Sequence, residues 1–129
     1  MSAASLPVPV DLGAAFASFD ERWSPRIAAA LNGQEVKLVK LEGAFEWHRH
    51  EDADELFLVV KGRIAIRFRA GDVLLGEGQM LVVPRGLEHC PVAEEEAWVL
   101  LFEPAGTLNT GDVRSDRTVD SPARLAPRT

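Results

Sequence analysis

The sequence predicts an all-β domain, an antiparallel sandwich or barrel carrying short N-terminal helices. Three observations lead there. Between residues 35 and 103 the chain is a series of short runs rich in Val, Leu, Ile and Phe, residues that suit a pleated, half-buried surface. Lys61-Gly62, Ala70-Gly71, Gly76–Gly78 and Pro84-Arg85-Gly86 separate these runs, and such pairs mark turns. The 129 residues, 47% hydrophobic and 26% charged, are enough for one domain around one core. Seven or eight strands at near-even spacing argue against a parallel sheet with crossover helices.

Residues 1–33 read as an arm followed by short helices. Pro7 and Pro9 favour a loose, extended start. Asp11 can cap a short turn through Phe16 and Phe19, and Ser24-Pro25 offers an N-cap followed by proline at the first helical position. That second helix is expected to run through Ile27 and Leu31 and stop at Asn32-Gly33.

Residues 34–104 form the barrel. EVKLVKLE, FEWHRH, ELFLVV, RIAIRFR, DVLLG, MLVVP and AWVLLFE are its strands. In 63–69, Ile64, Ile66 and Phe68 alternate with Arg63, Ala65, Arg67 and Arg69, so one face is buried and the other wet. Periodicity alone leaves open whether the isoleucines or Arg67 point inward. Glu94–Glu96 reads as a solvated turn. Residues 105–129 form a polar tail, expected to pack on the domain or a neighbouring subunit to about Val119 and to fray beyond it.

Composition narrows the function classes. A net charge of −6, a pI near 5.0 and no dense Lys/Arg run argue against nucleic acid. The apolar runs are too short to span a bilayer, and no basic segment followed by an apolar stretch opens the chain, so a cytoplasmic protein is expected. Cys90 is the sole cysteine, which excludes an internal disulfide and a cysteine-based zinc site.

The chemistry resides in three histidines. His48 and His50 lie two apart in an expected strand, so their side chains share a face, roughly 6–7 Å apart along the backbone. Glu55 opens the next apolar run, where a short turn can bring its carboxylate beside them. His89 follows a Pro-x-Gly turn and can close the set from a distant strand.

Here the sequence resembles a known family. Gly43-x4-His48-x-His50-x4-Glu55-x6-Gly62 resembles the first signature of the cupin superfamily, and Gly78-x5-Pro84-x-Gly86-x2-His89 the second. The resemblance spans roughly residues 36 to 103. It is nearest to small single-domain cupins of the mannose-6-phosphate-isomerase-like, RmlC-like group, a label that says little about substrate. The first glycine stands one residue closer to His48 than is usual, and Ala93 replaces an expected Asn. Neither change removes a metal ligand.

The resemblance implies a jelly-roll barrel (a double-stranded β-helix) holding one divalent metal on His48, His50, Glu55 and His89. Three imidazoles and a carboxylate suit Mn, Fe, Co, Ni, Cu or Zn better than Ca or Mg. A divalent ion with one carboxylate leaves about +1 on the site, which favours an anionic or chelating oxygen ligand. Phe57 and Val59 share parity with Glu55 and should line the pocket. Glu46, two before His48, is a candidate acid/base, or a solvent-facing residue at the barrel mouth. Cys90 alternates away from the site as a small buried hydrophobe. Trp47 and Trp98 face outward, to pack on helices or a partner subunit.

The function expected is a metal-dependent enzyme (oxygenase, isomerase or lyase) acting on a small, anionic organic molecule. A non-catalytic cupin that binds or senses such a ligand is the alternative. Outward tryptophans and apolar strands suggest a homodimer.

Overall fold

The computed structural model describes residues 6–125. Among them are one short helix and seven strands: α1 (Leu12–Ala17), β1 (Arg26–Leu31), β2 (Gln34–Ala44), β3 (Glu55–Lys61), β4 (Ile64–Phe68), β5 (Gly71–Leu75), β6 (Met80–Val83) and β7 (His89–Pro104). Every strand pair is antiparallel, as the all-β reading requires. No helix among the described residues is long and apolar enough to cross a membrane.

β7 organises the barrel. Its C-terminal half lies between β2 and β3, in the order β1-β2-β7-β3-β6. Its N-terminal half pairs β4, which in turn pairs β5. The two halves join at an irregularity: Leu41 faces Ala97 and Gly43 faces Ala93, so Glu94–Glu96 stand opposite the single residue Glu42. The expected turn at Glu94–Glu96 is therefore a bulge within one long, bent strand, its three carboxylates exposed. A bulge bends the strand and increases its twist, which lets β7 serve both layers. Gly62, at φ +84°, packs against this bend, where a Cβ would meet the Glu96 carbonyl oxygen at 3.2 Å.

The second expected helix is a strand. Residues 26–31 pair with β2, and Asn32 and Gly33, at φ 51° and 78°, form the two-residue loop of a hairpin. Positive φ at both central residues is the turn whose twist matches paired strands. The run RIAAAL has adequate helix propensity, but pairing along β2 outweighs it. The first expected helix does form: the Asp11 carboxylate accepts from the Gly13 N–H at 3.1 Å, and Phe16 is fully buried.

Strand parity sorts two cores. Val39, Leu41, Phe57, Val59, Ile64, Ile66, Val99 and Leu101 fill the barrel, so the isoleucines of β4 point inward and Arg67 pairs with Asp72 outside. On the other side of β2, Leu38 packs with Phe16 and Phe19 beneath α1. Trp98 stacks on Phe16 with ring centres 4.9 Å apart, and Lys40 is buried against the Phe19 and Trp98 rings. Trp47 lies under the Arg69 guanidinium at 3.7 Å.

The tail is not loose up to residue 125. Ile27 exchanges backbone hydrogen bonds with Ala123 and Leu125, so the fraying expected after Val119 does not hold for the described residues. The expected arm at residues 1–5, and residues 126–129, lie outside them.

Candidate metal centre

The four residues singled out in the sequence converge. FEWHRH is not a regular strand: only His48 pairs, as an isolated bridge to His89. The two histidines exchange both backbone hydrogen bonds, His48 N–H to His89 O at 3.0 Å and His89 N–H to His48 O at 2.8 Å. That pairing puts their rings 4.4 Å apart, centre to centre. The His50 carbonyl accepts from the Gly86 N–H at 2.8 Å, tying the ligand loop to the Pro84–Leu87 turn. Gly86 there has φ +78°, a conformation that glycine adopts without steric cost. Glu55, the first residue of β3, points into the barrel.

All four side chains are buried, and one ligand atom from each lies within 4.8 Å of the others. His50 Nε2 is 3.3 Å and His89 Nε2 3.6 Å from Glu55 Oε1. None of these three atoms has a hydrogen-bond partner. Buried polar atoms are normally paired, and three orphans pointing at one spot need an explanation. A cation supplies it, and the donor set fits one.

The outer nitrogens support this. His48 Nδ1 meets the Glu46 carbonyl and His89 Nδ1 the Leu87 carbonyl, each at 2.9 Å. A carbonyl can only accept, so each Nδ1 carries the proton and each Nε2 keeps its lone pair for the centre. Burial, reinforced by His89, lowers the His48 pKa from 6.5 to about 4. A neutral imidazole is the form that binds metal.

Behind Glu55 lies a second buried group that the sequence reading missed. Lys37, on β2, is as buried as the ligands, and its Nζ donates to Glu103 Oε1 at 2.9 Å and to the Thr107 carbonyl at 3.1 Å. Glu103, on β7, follows Phe102, which pairs with Leu56, and so stands buried directly opposite Glu55. Burial and the neighbouring Glu55 charge push the Glu103 carboxyl well above the usual range, while Glu55, against its own burial, is held well below it by the Glu103 carboxyl beside it. Within the pair a proton therefore resides more readily on Glu103 than on Glu55. Strand parity was the available signal: Lys37 shares its face with Val39 and Leu41, and Glu103 with Leu101.

The tail closes the site from outside. Arg49 N–H donates to Asp112 Oδ1 at 2.9 Å, and Asp112 N–H to the Arg49 carbonyl at 3.0 Å. Gly111, at φ +56°, approaches so closely that a Cβ would lie 2.3 Å from the Arg49 oxygen and 3.0 Å from the His48 ring. Arg117 donates to the Ala44 carbonyl and covers the stacked Trp23 and Phe45 rings.

A cleft of about 340 Å³, counted out to solvent, opens beside His48 and Glu55. Trp23, Leu41, Phe45, Phe57 and Leu101 make most of its wall, and among the described residues Asn109 is its only polar lining apart from the two ligands. Phe57 stands in the wall of this cleft, and Val59 lies deeper, fully buried in the barrel core. Glu46 is outside both the ligand cluster and the cleft wall, and its carbonyl, not its carboxylate, touches His48. Cys90 is buried and donates its S–H to the Phe45 carbonyl at 3.1 Å, and burial raises its pKa.

The chain is 35% identical over 60 residues to the uncharacterized protein YdbB of Bacillus subtilis (strain 168), a match covering 46% of this chain and 53% of YdbB. It spans about half the length of the curated relatives it matches. Among solved structures, a cupin-2 domain containing protein from Shewanella frigidimarina is 43% identical with a TM-score of 0.73, covering 74% of this chain and 93% of that one. Protein NMB1881 from Neisseria meningitidis is 33% identical with a TM-score of 0.70, covering 75% and 99%. The cupin domain model matches residues 34–103, more than half of the chain and the whole run from the start of β2 to Glu103, so this chain belongs to the cupin domain family.

Proposed function

We propose that this chain is a metal-dependent enzyme acting on a compact organic acid that offers an oxygen donor to the cation held by His48, His50, Glu55 and His89. The supporting observation is the set of buried, unpartnered donor atoms at one side of an apolar cleft. Three nitrogens and one carboxylate favour Mn, Fe, Co, Ni, Cu or Zn, and leave about +1 with a divalent ion, which attracts an anion. Such an ion supplies Lewis acidity or, where redox-active, oxygen chemistry. The protein does the rest: the two carbonyls hold the histidine tautomers, the aromatic wall excludes water, and Asn109 can orient a polar substituent.

The cleft's lining also favours one reaction class. Among the described residues it presents neither lysine nor arginine to hold a phosphate, and no acid or base apart from the ligands. Isomerisation by a separate general base lacks its group there. Chemistry that a bound cation would supply, oxygenation among it, is favoured over isomerisation by a separate general base in this cleft.

The test is metal analysis of the purified protein, followed by oxygen-uptake assays of the Fe(II)-reconstituted chain with compact α-hydroxy and β-dicarbonyl acids. Uptake with at least one acid, matched by an oxygenated product in mass spectrometry, is the expected result. Failure to retain Fe(II), Mn(II), Co(II) or Zn(II) would overturn the metal assignment. Tight binding of the acids without turnover would replace the enzyme by a binding protein on the same site.

A further inference from the structure

Lys37, Glu103 and Glu55 form a line of buried ionisable residues beside the apolar core of the barrel. Lys37, Glu55 and Glu103 are 2%, 3% and 1% exposed. Continuing the antiparallel register from Leu56↔Phe102 puts Glu55 directly opposite Glu103, while Glu103 faces Glu35 on the other side. Lys37 Nζ takes Glu103 Oε1 and the Thr107 carbonyl, with Glu35 Oε1 3.9 Å away and Arg124 reaching Glu35 from the surface at 3.8 Å. The second oxygen of Glu103 is buried and has no hydrogen-bond partner.

Such a line is a poor way to stabilise a fold. Taking an ammonium and a carboxylate out of water costs about as much as their attraction returns, and a well-packed apolar pair of the same volume is often equal or better. What the line does accomplish is geometric. Glu55 has three side-chain torsions, and the segment before it, residues 51–54, is irregular. Phe57 and Val59, on the same face of β3, are apolar and offer its carboxylate no hydrogen bond. The Glu103 carboxyl lies buried directly across the β3–β7 pair from that group, and Lys37, anchored to the Thr107 carbonyl, holds Glu103. Oε1 of Glu55 then faces His50 and His89.

We propose that Glu103, fixed by Lys37, is a positioning residue for the metal ligand Glu55, and that its reach across the β3–β7 pair sets the affinity of the centre. The proposal rests on the metal reading above. Partners of this kind commonly change metal affinity by about 10- to 100-fold when removed.

Three variants separate reach from charge and from folding. Glu103→Gln keeps the length, an acceptor for Lys37 and an N–H for Glu55. Glu103→Asp keeps the carboxyl group but withdraws it by one methylene. The double variant Lys37→Met/Glu103→Met removes the pair with little change of volume. Each is titrated with Co(II) against a chromophoric chelator, its visible absorption recorded, and its metal-free unfolding followed. Wild-type affinity and absorption in Glu103→Gln are expected, with a loss of about 10- to 100-fold and an altered spectrum in Glu103→Asp and in the double variant. Equal affinities throughout would overturn the proposal, as would retention in Asp with loss in Gln. Should the double variant not fold, the Gln and Asp pair decides alone. If the unmodified chain binds no Co(II), the metal reading itself fails, and that outcome is recognisable because every member of the series is then silent.

Discussion

His48 and His89 position each other through a reciprocal pair of backbone hydrogen bonds, whereas His50 is tied in through its carbonyl to Gly86. Its ring contributes to the centre without taking part in the barrel core, which is made from other residues. His50→Ala should therefore abolish most metal retention, by more than the effect of losing an outer partner, while the β-rich circular dichroism spectrum is kept. Wild-type metal content in that variant would show that His50 is not a ligand. Glu46→Gln is the matched control. Because Glu46 reaches His48 through its main-chain carbonyl, replacing its carboxylate should leave the metal content unchanged, and a large loss would assign the side chain a role that its position does not suggest.

The segment after β7 is the element through which distant sequence acts on the site. Residues 110–112 press on the ligand loop, with Gly111 against the Arg49 carbonyl and the His48 ring. Gly111→Val should cost about 1–3 kcal/mol from its positive φ alone, and more because its side chain must displace Arg49 or the tail. Metal affinity should fall with it, since the same side chain meets His48. Gly106→Ala is the comparison: at φ +87° with open space around it, it should lower the melting temperature and leave chelator competition unchanged. Equal metal affinity in both variants would mean that the tail does not support the centre. This element also marks how far the sequence could be read. Alternation in 63–69 was legible because strand geometry acts over two residues, whereas His48, His50, Glu55 and His89 were legible as a set through the two family-like motifs, since FEWHRH is not a regular strand and His89 lies 34 residues beyond Glu55. The Ser24-Pro25 start pointed to a helix because local propensity says nothing about the open edge of β2 that recruits residues 26–31. The Asp112–Arg49 contact spans 63 residues, and no local signal records such a closure. Lys37 lay in between, since a strand buried on both faces hides its parity.

For the molecule as a whole, the buried titrating groups make stability depend on pH in opposing ways. His48 has a folded pKa near 4, below its ordinary 6.5. Between these values the unfolded chain binds the extra proton, so stability rises with pH from about 4 to 6.5, by about 3 kcal/mol. Glu103 works in the reverse sense. Its folded pKa lies well above the ordinary carboxyl value, so above that ordinary value the unfolded chain releases a proton that the folded chain keeps. Stability from Glu103 is therefore present at low pH and declines as pH rises toward its folded pKa. Glu55, held below its ordinary value, contributes stability that is lost on acidification through its folded pKa. Between pH 4.5 and 6.5 the metal-free protein should thus show a shallow profile, the His48 rise offset by the Glu103 decline. Glu103→Gln removes one side of that balance, and its urea-unfolding free energy should climb more steeply across this interval than that of the unmodified chain. Parallel profiles would mean that Glu103 is ionised in the folded protein, with no proton to donate to Glu55. Metal binds the folded form through neutral histidines, so adding Co(II) should stabilise both chains, and more at pH 7 than at pH 5.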